Sequence, residues 1–151
     1  MRMLALLAVG LFAGSLLATD KKPKDEEAIL GTWAFESIDT GEEATSGKSK
    51  ELAKLRFTFK KGEAAIQFGG EEAKFMPFKL GDTTDPKTMD MTPEDAKQAL
   101  KFLYTLDADT LVVCLHNSPG GADRPTEFKP NKGNSIALIT LKRVKEEKKD
   151  K

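Results

Sequence analysis

The sequence contains little of what catalytic and metal-binding sites are built from. Its 151 residues include one cysteine, one histidine, one tryptophan and one tyrosine. A single cysteine excludes an internal disulfide and any zinc site made of several thiolates. A single histidine excludes a metal centre with several imidazole ligands and leaves little for acid–base chemistry near neutral pH. We therefore expect no catalytic residue, no metal and no cofactor.

Neither sign of charge is in excess, since 24 lysine and arginine side chains balance 24 acidic ones. A surface that binds nucleic acid needs surplus basic residues to neutralise phosphates, so we expect no nucleic-acid partner. A chain of this length suits one domain with a single hydrophobic core.

Long apolar runs are also scarce, and the longest lies at the N-terminus. Arg2 precedes a largely apolar run over residues 4–17, which ends in small residues ahead of a polar stretch. This order is typical of a secretory signal peptide, and the run is shorter than the roughly 20 residues that a membrane-spanning helix needs. We predict a helical signal peptide at residues 1–18, cleaved after Ala18 or, alternatively, after Ser15.

Charged segments flank the rest of the chain. Residues 19–27 (TDKKPKDEE) and 145–151 (KEEKKDK) carry too little apolar surface to order themselves, so we interpret them as a tether and a disordered tail. Residues 28–144 are predicted to form the domain. Once the signal peptide is removed, the protein is expected in the periplasm or outside the cell, with no stable membrane span. A retained N-terminal anchor is the alternative.

Between the charged segments the hydrophobic pattern has a period of two, which is typical of half-buried strands. Short turns divide this region into about eight such strands, at residues 32–38, 55–60, 63–68, 73–80, 88–92, 103–106, 110–116 and 135–143. Closing the sheet on itself removes the two open edges on which other chains could pair. We therefore predict an all-β fold, a small antiparallel up-and-down β-barrel, and we expect a monomer.

One short helix is predicted to interrupt the strands at residues 93–100. Thr92 suits the N-cap position, Pro93 suits the first helical position, and acidic residues follow in the first turn. A hairpin is predicted around Asp107-Ala108-Asp109, where the short connection joins two strands.

Several strings along the chain match a known family: Gly31-Thr32-Trp33, Leu55-Arg56-Phe57-Thr58-Phe59, Arg124-Pro125-Thr126-Glu127-Phe128 and Leu141-Lys142-Arg143. In this order they resemble the small exported domain of unknown function that occurs in many copies in planctomycete bacteria and is often described as lipocalin-like. The resemblance covers residues 30–144. It implies an up-and-down β-barrel, but no reaction and no ligand.

The same resemblance implies a structural latch. In lipocalin barrels the tryptophan of the Gly-x-Trp pattern packs at the closed end against a basic side chain from the last strand, and here the residues in these positions are Trp33 and Arg143. A guanidinium over an indole face contributes about 0.5–2 kcal/mol. We interpret this pair as core closure, not as a ligand site.

Inward-facing aromatic and methionine residues are the candidates for a ligand cavity at the open end of the barrel. They are Phe57, Phe59, Phe68, Phe78, Met89, Met91 and Tyr104. The alternative is that these side chains simply fill the core, because a barrel of this size can be filled by its own residues.

Two further candidates lie beside the Gly- and Pro-rich loop Asn117–Pro125. Recognition usually occurs on such loops, so Arg124 could hold an anion; alternatively it pairs with Glu127 or a loop carboxylate and only fixes the loop. Cys114 and His116 share one face of a strand about 6–7 Å apart. They could act as nucleophile and base or as two metal ligands. Because no third ligand is identifiable, a buried cysteine and a strand-end histidine is the favoured interpretation.

The sequence therefore predicts an exported, non-catalytic β-barrel that binds a small apolar or amphipathic molecule in its mouth. The alternative is a filled-core structural or interaction domain of the cell envelope that acts through its loops, especially residues 117–125. An enzyme has the least support, and the sequence does not identify protein partners.

Overall fold

A computed structural model describes residues 24–42, 50, 52–117 and 123–145. These residues form a four-residue helix α1 (Asp25–Ala28), a 3-10 turn (Leu52–Lys54) and eight strands: β1 (Gly31–Asp39), β2 (Leu55–Lys60), β3 (Glu63–Phe68), β4 (Phe75–Leu80), β5 (Lys87–Met91), β6 (Leu100–Asp107), β7 (Thr110–His116) and β8 (Ile136–Arg143). The predicted signal peptide at 1–18 lies outside the described residues, as do residues 19–23 of the tether and 146–151 of the tail.

Each strand pairs antiparallel with the next, and β8 returns to pair with β1, so the sheet closes into a barrel. Trp33 in β1 marks the closure, because it lies opposite Phe57 on one side and Arg143 on the other. The predicted fold class, an up-and-down barrel of eight antiparallel strands, is confirmed.

Alternation in the sequence places the core inside this barrel. In β2, for example, Leu55, Phe57 and Phe59 are buried, whereas Arg56 and Thr58 between them are only half-buried. The same alternation on the other strands brings the apolar side chains into one cluster around the barrel axis.

The prediction of a helix over residues 93–100 is wrong. Residues 92–99 form turns and irregular chain, with one turn closed by the Ala96 amide and the Pro93 carbonyl, and Leu100 already belongs to β6. The helix start signal is present, but Ala96, Ala99 and Leu100 offer little apolar surface to hold a short helix against the core. Leu100 is instead held in the sheet, opposite Met91.

The end of the predicted tether is ordered. Residues 25–27 belong to α1, which lies across one end of the barrel, and Ile29 directly after it is completely buried. The Trp33 indole donates a hydrogen bond of 2.8 Å to the Ile29 carbonyl. Composition of residues 19–27 alone suggested disorder, but the neighbouring isoleucine supplies the apolar anchor. We call this end of the barrel the closed end.

The predicted hairpin at Ala108 is present, because Asp107 pairs with Thr110 across a two-residue turn. Ala108 has a φ of 47°, a left-handed conformation that costs an L-residue with a side chain about 1–2 kcal/mol. The closed barrel thus holds an alanine where a glycine would be unstrained.

Candidate functional site

An apolar cavity of about 200 Å³ lies at the other end of the barrel, which we call the open end. It is lined by Leu55, Phe57, Ile66, Phe68, Leu100, Lys101, Phe102, Leu115, His116 and Ile139. Leu55 begins β2, Phe68 ends β3 and His116 ends β7, and in an up-and-down barrel these positions meet at one end. Eight of the ten lining residues are apolar.

Two of the seven predicted cavity residues, Phe57 and Phe68, line this cavity. The others fill the core or pack against it: Phe59, Phe78, Met89, Met91 and Tyr104. The barrel is therefore filled over its closed half and hollow at its open end. The sequence left a ligand cavity and a filled core as alternatives, and the barrel contains a cavity in one half and a filled core in the other.

Half of the ten lining residues are aliphatic and were missed by the sequence analysis, which considered aromatic and methionine side chains. Leu115 and Ile139 are examples. Their signal in the sequence is position, since both are inward-facing residues in the halves of β7 and β8 that lie nearest to the open end.

Large apolar side chains are exposed at the rim of the cavity. Phe68 has 52% of its surface exposed and Leu100 has 37%, and both contribute to the lining. Single exposed apolar residues are ordinary on a protein surface, but an exposed pair that continues into an apolar cavity is typical of a binding site.

Arg143 is fully engaged at the closed end. Its guanidinium carbon lies 4.3 Å from the centre of the Trp33 ring, so the contact predicted for this pair is present. Its Nη1 donates to the Leu30 carbonyl at 2.8 Å, its Nη2 donates to the Ala28 carbonyl, and its Nε donates to Asp109 at 3.1 Å. This geometry is that of a structural latch between the last strand and the segment that enters β1.

A second polar contact fastens α1 to the barrel. The Tyr104 hydroxyl donates a hydrogen bond of 2.8 Å to Oδ2 of Asp25, and the Lys87 ammonium lies 2.7 Å from the same oxygen. Burial of the phenol raises the pKa of Tyr104 well above its usual value, and the hydrogen bond and the negative charge of Asp25 raise it further. Tyr104 thus closes the barrel as a neutral donor.

Tyr104 offers a direct test of this contact, because it is the only tyrosine in the chain. Its pKa is higher in the folded than in the unfolded protein, so the folded state holds the proton more tightly. The stabilisation is complete below pH about 10 and is lost as the pH rises toward the folded-state pKa, by about 1.4 kcal/mol per pH unit. We expect the ultraviolet signal of tyrosinate to appear only as the protein unfolds in alkali.

The matched variant is Tyr104→Phe, which should remove this component of the alkaline loss of stability. An absorbance titration of the folded protein that follows an ordinary phenol, with a midpoint near pH 10, would show that Tyr104 is not held as described.

Arg124 is also engaged, in contacts that fix a loop. Its guanidinium donates to the Phe102 carbonyl at 2.8 Å, reaches the Met89 carbonyl at 3.5 Å and pairs with the carboxylate of Asp90. Its acidic partner is thus a residue of β5, and not Glu127 or another residue of the loop. The geometry fits the structural alternative for Arg124, because both of its Nη atoms are bound within the protein; residues 118–122 of this loop lie outside the described residues.

The segment that follows Arg124 covers the outside of the barrel. Phe128 packs there against a small cluster formed by Leu103, Cys114 and Ile136. The Cys114 thiol lies 3.5 Å from the Glu127 carbonyl, and burial raises its pKa above the usual value. A buried thiol with a raised pKa is a poor nucleophile.

Cys114 and His116 do not form a joint site. Nδ1 of His116 lies 3.1 Å from the Asn134 carbonyl, while Cys114 faces Glu127. Across the described ranges no three His, Cys, Asp or Glu side chains gather as metal ligands. In the same part of the chain, no helix is long and apolar enough to span a bilayer.

Comparisons with known proteins add no family to this geometry. No protein-family model matches the chain, and neither a curated protein nor a solved structure matches it. The resemblance to the planctomycete domain therefore stays a prediction from the sequence.

Proposed function

We propose that the protein is an exported, non-catalytic β-barrel that binds a small apolar or amphipathic molecule at its open end. The cavity of about 200 Å³ behind Phe68 and Leu100 carries this proposal. An apolar cavity of about 150 Å³ is enough to bind benzene, whereas sites for drug-sized ligands enclose about 300–1,000 Å³. The ligand is therefore small, or only one apolar part of it is enclosed.

The absence of catalysis is part of the proposal and is supported by where the reactive side chains lie. Cys114 is buried outside the barrel wall beneath the segment that contains Glu127. Tyr104 is hydrogen bonded to Asp25 at the closed end, at the far side of the filled core from the cavity. Neither of these groups lines the apolar cavity, and His116, which does, has its Nδ1 bound to the Asn134 carbonyl.

A structural or interaction domain of the cell envelope is the second candidate. The filled closed half supports it, and the exposed Phe68 at the rim could contact a protein partner as readily as it could border a ligand. The two candidates differ in one measurable property, because only the first requires the cavity to take up a small molecule.

A series of linear alcohols from butanol to octanol tests the binding proposal. Each methylene that enters the cavity contributes about 0.8 kcal/mol, which is about fourfold in affinity. We expect the affinity measured by titration calorimetry to rise by this factor per carbon and to level off once the cavity is full, at about six to eight carbons.

Ile66→Phe is the variant that occupies the cavity, since Ile66 is half-buried in its wall. We expect this change to weaken octanol binding at least about tenfold, by displacing buried methylenes. Val144→Phe is the matched control, because Val144 follows the closed end of β8 and is 40% exposed. Equal binding by both variants, or no binding by the wild type, contradicts the proposal.

Export is proposed from the N-terminal sequence and has its own test. The full chain, produced in a bacterium with an intact secretion pathway, should appear outside the cytoplasm with a mass that lacks residues 1–18. Leu11→Arg interrupts the apolar run and should keep the chain unprocessed. Full-length wild-type protein in the cytoplasm would contradict export.

A further inference from the structure

Two strands of the cavity wall separate at the open end. β6 and β7 are paired from Asp107 and Thr110 up to Leu103 and Cys114, and the pairing stops there. Both strands nevertheless continue, β6 back to Leu100 and β7 on to His116. The ladder between β6 and β7 therefore has a gap between the last residues of these strands, and we call this gap the opening.

The edges of this opening are ordered. On the far side of β6, Lys101 remains paired with Asp90 of β5, and on the far side of β7, His116 remains paired with Ile136 of β8. The end of β6 thus stays paired with β5 and the end of β7 stays paired with β8, although β6 and β7 are no longer paired with each other. The opening is thus a feature of the sheet and not the frayed end of a strand.

Four residues on these edges line the cavity: Lys101 and Phe102 on β6, and Leu115 and His116 on β7. Continuing the register of Leu103 and Cys114 by two residues places Lys101 opposite His116. The cavity is therefore bordered by a lysine and a histidine where β6 and β7 separate.

These two are the only side chains among the ten lining residues that can carry charge, and both are of the basic type. Nδ1 of His116 lies 3.1 Å from the Asn134 carbonyl. A carbonyl only accepts, so Nδ1 must carry the proton of this bond, which fixes the ring at the edge of the opening. Other basic side chains described above, such as Arg143 and Arg124, are already paired with carboxylates.

We propose that the ligand is a small monocarboxylic acid that enters between β6 and β7. Its apolar body of about six to eight carbons occupies the cavity, and its carboxylate stays at the opening between Lys101 and His116. This inference depends on the proposed function, to which it adds the chemical class of the ligand and its route of entry.

The basic rim distinguishes an acid from a neutral molecule of the same shape. An apolar wall alone does not distinguish an alcohol, an alkane or an acid with the same hydrocarbon chain, because each buries the same apolar surface in the cavity. An anionic head gains attraction from the lysine and histidine at the opening, whereas a cationic head is repelled there. The two basic residues thus set specificity, and the apolar wall supplies most of the affinity.

Octanoate and 1-octanol form the test pair, because they share the same chain length and differ in the head group. We expect the wild-type protein to bind octanoate about fivefold or more tighter than octanol, the preference of an exposed ion pair. Lys101→Gln should weaken octanoate binding about fivefold and leave octanol binding within about twofold. His116→Gln should act in the same direction.

Lys97→Gln is the matched control, since Lys97 is exposed and does not line the cavity. It should change neither affinity. Octanol binding as tight as octanoate binding overturns the inference and leaves the proposed function standing, whereas failure of both ligands to bind overturns both. A loss of octanoate binding in Lys97→Gln equal to that in Lys101→Gln would show a general charge effect and would also overturn the inference.

Discussion

Replacing Arg143 by methionine is expected to lower the free energy of unfolding by about 3 kcal/mol. The variant loses charged hydrogen bonds to the carbonyls of Leu30 and Ala28, each worth about 1.5–3 kcal/mol. It also loses the cation–π contact with Trp33, worth about 0.5–2 kcal/mol. The methionine keeps part of the apolar contact, and the side chain of Arg143 is partly exposed, so the net effect is smaller than the sum.

Chemical denaturation with a cooperative unfolding signal measures this difference. Lys142→Met on the same strand is the matched control, because the exposed Lys142 makes surface contacts, an ion pair 4.0 Å from Glu36 and a hydrogen bond of 2.7 Å to the Thr110 hydroxyl, together worth about 1 kcal/mol. If both variants lose the same small amount, Arg143 is not the latch of the closed end.

Replacing Arg124 by methionine is expected to raise the rate at which Cys114 reacts with a thiol reagent in the folded protein by about 30-fold. Arg124 fastens the covering segment to Phe102 and Asp90, and Phe128 in that segment packs over the buried thiol. Loss of these contacts should make local opening easier by about 2 kcal/mol, which is about 30-fold in the population of the open form.

Lys129→Met provides the control for this experiment, since Lys129 is exposed within the same covering segment. The reaction is followed at constant pH, so that the fraction of thiolate in the opened form stays the same. We expect the control to react at the wild-type rate. An Arg124→Met protein in which Cys114 stays as protected as in the wild type would mean that Arg124 does not hold the segment in place.

The strands were predictable because their signals are local. The intervals predicted at 55–60, 63–68 and 110–116 agree with β2, β3 and β7. In these intervals apolar and polar residues alternate, and short turns mark the ends. β6 was predicted too short, at 103–106, in part because the start signal around Thr92 and Pro93 assigned the residues up to Leu100 to a helix. That signal describes how a helix begins, but whether one persists depends on what its side chains can pack against.

The cap of the closed end was not predictable in the same way. Asp25 meets Tyr104 across 79 positions in the sequence, and nothing in the composition of a charged segment indicates that partner. The buried Ile29 was the available signal, since a short apolar run such as residues 28–30 after a charged segment can anchor it.

The sequence predicts which residues face the interior of the barrel, but not the volume of the cavity. A period of two identifies which residues face inward, and the pattern is the same for a filled barrel and for a hollow one. The volume left over depends on the tilt and stagger of the strands and on where neighbours separate. The separation of β6 and β7 beyond Leu103 has no counterpart in the alternation, so the lining by Lys101 and His116 follows only from the three-dimensional arrangement.

Amide spectra recorded by NMR with and without dissolved xenon test the open-end cavity most directly, because xenon enters apolar cavities without needing a polar partner. We predict saturable shifts at residues of the open-end wall, such as Phe57, Phe102 and Leu115, while the signals of Trp33 and Arg143 at the closed end stay unchanged. Spectra without shifts at the open end, or with shifts centred on the closed end, would contradict the account.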